Sequence, residues 1–163
     1  MKTTAKTVQT ILLAFAMSCF AWTASAKDEV SFNGSSVGQD TEVGPGPAPG
    51  TLEIQGIGSG NSSHLGRTTF TYTYVIDLSD FSFHGTSHTV AANGDTFDAV
   101  FTGYSLPTDN PDVLAIVQFY TITGGTGRFD GATGSFTLNG FYSLSTHVFT
   151  ANSKGTIAYK KKN

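Results

Sequence analysis

From residue 51 onward the chain alternates between apolar and polar residues at every second position. The alternation is clearest in seven segments, at residues 51–57, 65–77, 81–91, 96–104, 113–123, 134–145 and 147–159. A period of two places successive side chains on opposite faces, which is typical of β-strands. Turn-forming residues separate the segments, as at Asn93-Gly94 and in the proline-containing stretch 106–112. The pattern therefore predicts an all-β protein of seven or eight strands without a helix longer than one turn.

Short connections between long strands are compatible with a sandwich of two sheets or with a closed barrel. Long neighbouring strands leave unpaired backbone groups at the sheet edges unless the sheet closes on itself. We therefore predict an antiparallel, closed β-barrel of eight (seven to eight) strands. A short additional strand at 29–32 would precede the seven segments.

A glycine-dense reversal joins two of these segments within residues 119–140, whose sequence is FYTITGGTGRFDGATGSFTLNG. One aromatic residue, Phe129, lies between the glycines. We predict that residues 126–132 form a helical turn that carries Phe129 into one end of the barrel, where full burial contributes about 1.5–3 kcal/mol. The glycines of this loop would supply positive φ angles or close backbone approach. They are Gly124, Gly125, Gly127, Gly131 and Gly134.

The stretch 123–134, TGGTGRFDGATG, resembles the T-G-G-[ST]-G-x-F-x-G-x-x-G signature of allene oxide cyclases. It is also similar to the G-G-T-G-x-F loop of plant dirigent proteins, and to secreted bacterial proteins of unassigned function that share a segment like 63–67, SHLGR. The resemblance covers about residues 50–159. It implies an eight-stranded antiparallel barrel, usually trimeric. For the cyclases it also implies an isomerase or cyclase that acts on a hydrophobic substrate in the lumen.

The same resemblance implies two candidate catalytic residues. The cyclase pattern has a Tyr-Glu-Ile-Asn stretch on its first core strand, and the matching stretch in this chain is Leu52-Glu53-Ile54-Gln55. Glu53 and Gln55 would take the carboxylate and amide positions. The chain departs from the pattern at Leu52 and Gln55, and an exposed glutamate on the barrel wall is the alternative interpretation of Glu53.

The alternation of side chains between the two faces of each strand predicts that aromatic residues line the interior of the barrel. Phe70, Tyr72 and Tyr74 share one face of their segment, while Phe101 and Tyr142 lie on the faces of two other segments that we expect to point inward. Eight strands enclose an interior that side chains can just fill or that holds one small ligand. These five residues are therefore the candidate ligand-binding residues for an apolar small molecule.

The segment 113–122 is apolar on both faces. A strand of this kind is expected to be buried on both sides. The sequence leaves open what covers its outer face, either a strap of the same chain or a second subunit. We accordingly expect this strand to lie near the interface of a homo-oligomer, a dimer or a trimer.

The N-terminal residues have the features of a targeting segment. Two lysines precede an apolar run at 11–22 and the small residues at 24–26, so we predict a removed secretory signal at residues 1–26. The apolar run is shorter than the about 20 residues that span a bilayer, so a membrane-embedded protein is not predicted. Lipoprotein processing at Cys19 is the alternative. The mature protein would be secreted or periplasmic, with a Gly- and Pro-rich linker or strap at 27–50 and the barrel domain at 51–163.

Composition excludes several classes of function. Removal of the predicted signal would leave seven of the nine Lys and Arg against twelve Asp and Glu, which argues against a nucleic-acid partner. It would also remove Cys19, the single cysteine, and with it thiol and disulfide chemistry. His84 and His88 are four residues apart, about 13 Å along one strand face and too far to share a metal. The sequence predicts no metal site and no cofactor.

The predicted function is accordingly non-enzymatic. The protein would bind an apolar small molecule, or serve as a structural or interaction module, outside the cytoplasm. The alternative is an isomerase or cyclase of the allene oxide cyclase type. A lumen of about 300 Å³ or more with Glu53 or a histidine directed into it would favour ligand binding or catalysis, whereas a lumen closed by Phe70, Tyr72, Phe101 and Tyr142 would favour a structural role.

Overall fold

Eight strands form a closed antiparallel barrel in the computed structural model, which describes residues 28–160. The strands are β1 (Asp28–Pro45), β2 (Thr51–Ser62), β3 (Gly66–Asp77), β4 (Ser82–Ala91), β5 (Thr96–Pro107), β6 (Val113–Gly125), β7 (Thr133–Ser143) and β8 (Val148–Tyr159). Each strand pairs with the next, and β8 pairs with β1 to close the barrel. The predicted fold class is therefore confirmed. The signal predicted at 1–26 lies outside the described residues.

Strand β1 occupies most of the segment that was predicted to be a linker. It pairs with β2 over residues 34–45 and with β8 over residues 28–39. The prediction of a linker or strap at 27–50 is therefore wrong for residues 28–45, and the barrel domain begins with β1 rather than at residue 51. The physical reason is that several inward positions of β1 carry small residues instead of large apolar ones. The sequence therefore lacks the apolar alternation by which a strand is recognised.

Those small residues leave room for aromatic rings inside the barrel. A Cβ atom added at Gly38 of β1 would overlap the ring of Phe149, and one added at Gly56 of β2 would overlap the ring of Tyr72. Glycine in a strand commonly marks such a close approach. The glycine-bearing wall formed by β1 and β2 thus positions large side chains that project from β3 and β8.

One end of the barrel is filled, and we call it the closed end. It is formed by the β2–β3, β4–β5 and β6–β7 connections. The β6–β7 connection contains a 3₁₀ turn, Gly127–Phe129. The side chain of Phe129 is fully buried, and its ring centroid lies 6.2 Å from that of Phe97 and 5.2 Å from that of Tyr159. An apolar cluster that includes Phe32, Leu65, Ile122 and Ile157 surrounds it.

The β6–β7 connection uses its glycines in two ways. Gly124, Gly127, Gly131 and Gly134 have φ angles of 153°, 60°, 62° and 144°, which side chains rarely tolerate. Gly125 has a different constraint, because a Cβ atom there would overlap the carbonyl oxygen of Thr96. All five glycines of the predicted structural loop therefore stand where a larger residue would be strained or would clash.

Strand β6 lies between β5 and β7 and is apolar on both faces, but no described strap covers it. Its inner face carries the buried residues Ile116 and Ile122, while Phe119 on the outer face is 49% exposed. A strap from residues 28–45 is excluded because these residues belong to the barrel. The homo-oligomer remains a prediction. Within residues 28–160, no helix has the length and apolar character needed to cross a membrane.

Candidate ligand-binding site

A cavity of about 220 Å³ occupies the other end of the barrel, which we call the open end. This end is formed by the β1–β2, β3–β4, β5–β6 and β7–β8 turns. Four of the five candidate ligand-binding residues line the cavity: Tyr72, Tyr74, Phe101 and Tyr142. The fifth, Phe70, instead lines a smaller cavity of about 70 Å³ nearer the closed end.

The side chain of Asp40 is the central polar group of the cavity. It points inward from β1, and the residue is only 9% exposed. Its Oδ1 accepts a hydrogen bond of 2.8 Å from the Tyr72 hydroxyl, and its Oδ2 accepts one of 2.7 Å from the Tyr142 hydroxyl. The Tyr74 hydroxyl lies 3.5 Å from Oδ2. Three strands, β1, β3 and β7, thus converge on one carboxyl group.

A β-bulge in β1 sets the surroundings of Asp40. The register with β2 shifts between Asp40 and Glu42, so Thr41 is an extra residue that has no partner in the ladder. Because of this shift, both Asp40 and Val43 line the cavity, although residues three positions apart would point to opposite faces of a regular strand. Bulges of this kind re-aim side chains next to functional sites.

His147 extends the hydrogen-bond network to the rim. Its Nδ1 lies 2.9 Å from the Tyr142 hydroxyl oxygen, and its backbone carbonyl accepts a 3.0 Å bond from the Asp40 amide. A phenol has one proton, so a Tyr142 hydroxyl that donates to an Asp40 carboxylate must accept from His147. In this network, neutral His147 carries its proton on Nδ1. The network links β1 to the β7–β8 turn.

Burial keeps the tyrosine hydroxyls of the cavity protonated. Desolvation raises the pKa of Tyr72 and Tyr74 well above the ordinary value, and the charge of Asp40 raises both further. Desolvation also raises the pKa of Tyr142, with its hydrogen bond to Asp40 as the second cause. The pKa of Tyr120 is raised by burial, and its hydroxyl donates to Gln118 Oε1 at 2.8 Å. At neutral pH these tyrosines are neutral hydrogen-bond donors.

Two residues at the rim of the cavity have an unusual backbone conformation. Phe81 in the β3–β4 turn and His147 in the β7–β8 turn both have a φ of 57°. Left-handed φ angles in residues other than glycine cost about 1–3 kcal/mol each and cluster at functional sites. The Phe81 turn is nevertheless held by two backbone bonds, from its amide to Asp77 at 2.9 Å and from the Ser105 amide to its carbonyl at 3.1 Å.

The structure places Glu53 and Gln55 outside the cavity, which agrees with the alternative interpretation of Glu53. Both side chains are exposed on the outer face of β2, whereas Ile54 between them is buried and lines the cavity. The alternation of strand faces imposes this arrangement, since Ile54 and the residues on either side of it cannot all point inward. Among the described residues that line the cavity, Asp40 is therefore the one that carries a carboxyl group.

Asp40 and His147 were not selected from the sequence as site residues. Asp40 lies in the segment that was interpreted as a linker, and His147 is one of four histidines and no motif in the sequence distinguishes it. A signal for Asp40 did exist, because every second residue before it is apolar or small, at Val30, Phe32, Gly34, Ser36 and Gly38. Counting small residues as inward-facing would have extended the strand to Asp40.

The histidines on the barrel wall do not form a metal centre with their neighbours. His84 and His88 are exposed on β4, and His88 Nδ1 lies 2.6 Å from Asp98 Oδ1 on the adjacent strand. Among residues 28–160 there is no group of three or more His, Cys, Asp and Glu side chains that could hold a metal ion. The polar side-chain groups that line the cavity are hydroxyl groups, one carboxyl group, one imidazole and the carboxamide of Gln118.

Fold and site together define a class of protein, an eight-stranded antiparallel barrel with one filled end and one end that contains a cavity. Comparisons with models of protein families, with curated proteins and with solved structures find no match for this chain. The likeness to allene oxide cyclases and dirigent proteins stays an expectation that rests on the loop at 123–134.

Proposed function

We propose that this protein binds a small, largely apolar molecule in the cavity at the open end of its barrel. The observation that carries the proposal is the cavity of about 220 Å³, lined mainly by apolar and aromatic side chains around one cluster of hydroxyls and a carboxyl group. Apolar walls with a few convergent polar groups are typical of small-molecule sites. The cavity is smaller than the volume of about 300 Å³ that we set above and at which pockets for drug-sized ligands begin, so it suits a smaller molecule.

The rim of the cavity supports binding over a purely structural role. Val43, Leu78, Phe81 and Leu144 all line the cavity and are 45–50% exposed. Contiguous apolar side chains at a surface often mark a binding site. A barrel of eight strands can fill its interior with side chains, as this protein does at the closed end. A ligand at the open end would remove the exposed apolar rim from water.

A blocking substitution tests this proposal. We expect Ile54→Trp to fill the cavity, because Ile54 is buried in its wall, whereas Ile57→Trp on the outer face of the same strand should leave it open. Toluene and benzyl alcohol serve as probes in ¹H–¹⁵N spectra. The unaltered protein and Ile57→Trp should show shifts confined to cavity residues, and Ile54→Trp should bind at least about tenfold more weakly, the effect of ~1.4 kcal/mol. Equal binding by all three proteins would refute the proposed site.

The proposed setting is outside the cytoplasm, and its support is the targeting pattern in residues 1–26. N-terminal sequencing of the protein from its native host tests it, since cleavage after residue 26 is expected. The cyclase-like alternative gains no support from the cavity, because Glu53 and Gln55 lie on the outer face of the barrel.

A further inference from the structure

We propose that the ligand of this cavity is an organic cation, an ammonium group attached to a small apolar body, with Asp40 as its anion partner. The inference rests on the proposed function, since it names the chemical class of the molecule that the cavity takes. Three independent features carry it: the charge of Asp40, the aromatic walls, and the distribution of charge over the barrel.

Asp40 is the only Asp, Glu, Lys or Arg among the residues that line the cavity. Tyrosine hydroxyls are the hydrogen-bond partners of its side chain, and none of the ion pairs formed by residues 28–160 includes it. A buried carboxylate is costly unless it is paired with a cation or fully hydrogen-bonded. A carboxylate has about four acceptor sites, and the three tyrosine hydroxyls leave one on Oδ1. A ligand N–H donor would use that site.

The walls around Asp40 are suited to a cation. Rings of Tyr72, Tyr74, Phe83 and Phe101 line the cavity, and neighbouring centroids are 6.1 Å apart for Tyr72 and Tyr74 and 5.4 Å apart for Tyr74 and Phe83. The faces of aromatic rings attract ammonium groups, and each contact contributes about 0.5–2 kcal/mol. An ammonium group would therefore meet a carboxylate and aromatic rings at the same position.

The distribution of charged residues over the barrel also favours a cationic ligand. We divide each strand at its midpoint into a half near the open end and a half near the closed end. Among the described residues, the four Lys and Arg all lie toward the closed end: Arg67, Arg128, Lys154 and Lys160. Besides Asp40, the open half carries Glu42, Glu53, Asp77, Asp80, Asp109 and Asp112, whereas in the closed half the four cations are balanced by Asp28, Glu29, Asp95, Asp98 and Asp130.

Two of these rim acids are held in the charged form. Hydrogen bonds from Ser79 lower the pKa of Asp77, and hydrogen bonds from Ser143 and Ser145 lower the pKa of Asp112. A mouth that carries charge of one sign raises the local concentration of ligands of opposite sign. The open end therefore attracts cations toward Asp40, while its apolar rim selects those with an apolar body.

An isosteric pair of probes tests the inference on the purified full-length protein. Benzylammonium and benzyl alcohol have similar shapes and differ in charge. Isothermal titration calorimetry at neutral pH and low ionic strength should give benzylammonium a Kd at least about tenfold lower than that of benzyl alcohol. Asp40→Asn should abolish this preference. Asp98→Asn, which removes an equal charge from the outer wall toward the closed end, should retain it.

The outcomes separate this inference from the proposed function. Equal affinity of the unaltered protein for the two probes would overturn the cation and leave the apolar cavity in place. A preference that survives in Asp40→Asn would overturn the role of Asp40. Absence of binding by both probes would remove both proposals. If circular dichroism shows that Asp40→Asn is unfolded, the ratio of the two affinities for the unaltered protein still decides whether the ligand is cationic.

Discussion

The two ends of this barrel are built from the same eight strands but are completed in opposite ways. At the closed end the β6–β7 connection folds inward, and Phe129 completes an apolar cluster. At the open end the four turns stay at the rim, and a carboxyl group with its tyrosine partners stands in a partly empty space. The comparison indicates a division of roles. Packing at one end stabilises the barrel, so the other end can hold a buried acid.

The largest expected effect is the loss of Phe129 from the closed end. Phe129→Ala should lower the free energy of unfolding by about 3–5 kcal/mol, because it removes a fully buried ring and leaves a void. The matched change at the open end is Phe81→Ala, whose side chain is 45% exposed. We expect a clearly smaller loss for Phe81→Ala, as measured by chemical denaturation. Equal losses for the two variants would contradict the division of roles.

An intermediate effect is expected from Tyr142→Phe, which removes a hydrogen bond to Asp40 at the open end. At neutral pH the loss of stability should lie at the lower end of the about 1.5–3 kcal/mol that is typical for a hydrogen bond to a charged group, because Tyr142 is only half-buried. The pKa of Tyr142 is raised in the folded protein. The hydrogen bond of Tyr142 therefore stabilises the folded protein fully below the pKa of about 10 that tyrosine has in the unfolded chain. This stabilisation is lost as the pH rises through the pKa of Tyr142 in the folded protein.

Thermal unfolding of both proteins between neutral and alkaline pH checks this second prediction. The difference in stability between the unaltered protein and Tyr142→Phe should be constant up to about pH 10, the ordinary pKa of tyrosine. It should become smaller above that pH. Tyr104→Phe is the control, since Tyr104 lies on the outer wall and is 39% exposed. A gap that widens at alkaline pH would show that Tyr142 is not held in its protonated form.

The smallest effect is expected at the rim, where Asp112 ties the β5–β6 turn to the β7–β8 turn. Its carboxylate accepts bonds from the Ser143 hydroxyl at 2.9 Å and from the Ser145 amide at 2.8 Å. Because the pKa of Asp112 is lowered in the folded protein, its contribution is present above the unfolded pKa of about 3.9 and is lost as the pH falls through the folded value.

The measurement is the melting temperature of Asp112→Asn relative to the unaltered protein as the pH is lowered. The unaltered protein should melt slightly higher at neutral pH, and the difference should disappear in acid. Asp109→Asn in the same turn is the control, and its melting temperature should follow that of the unaltered protein throughout. A difference that grows on acidification would mean that the Asp112 carboxylate does not stabilise the turn.

Much of the barrel could be predicted from the sequence because large apolar residues alternate along seven strands. The segments predicted at 65–77 and 147–159 differ from β3 and β8 by one residue at the N-terminal end and share the C-terminal end. The inward direction of Phe70, Tyr72 and Tyr74 also followed from alternation. Only residues 29–32 of strand β1 were predicted as a strand, because the inward glycines and serine that follow carry almost no apolar signal and their role depends on rings from other strands.

The site was less predictable than the fold. Tyr72, Tyr74 and Tyr142 were found as inward aromatics, but nothing local in the sequence relates them to Asp40, which lies 32, 34 and 102 residues away from them. Glu53 and Gln55 were taken from a resemblance in which neighbouring residues matched only in part. Their outward direction depends on which face of β2 meets the lumen.

What the sequence by itself determined is the strand content and the glycine-rich reversal around Phe129, because period-two alternation and glycine conformation are properties of neighbouring residues. Only the tertiary structure decided that β1 closes the barrel and that one end remains partly empty. It also brought Asp40 together with Tyr72 and Tyr142. These features depend on register and on the relative sizes of side chains from distant strands, which are set when the barrel closes.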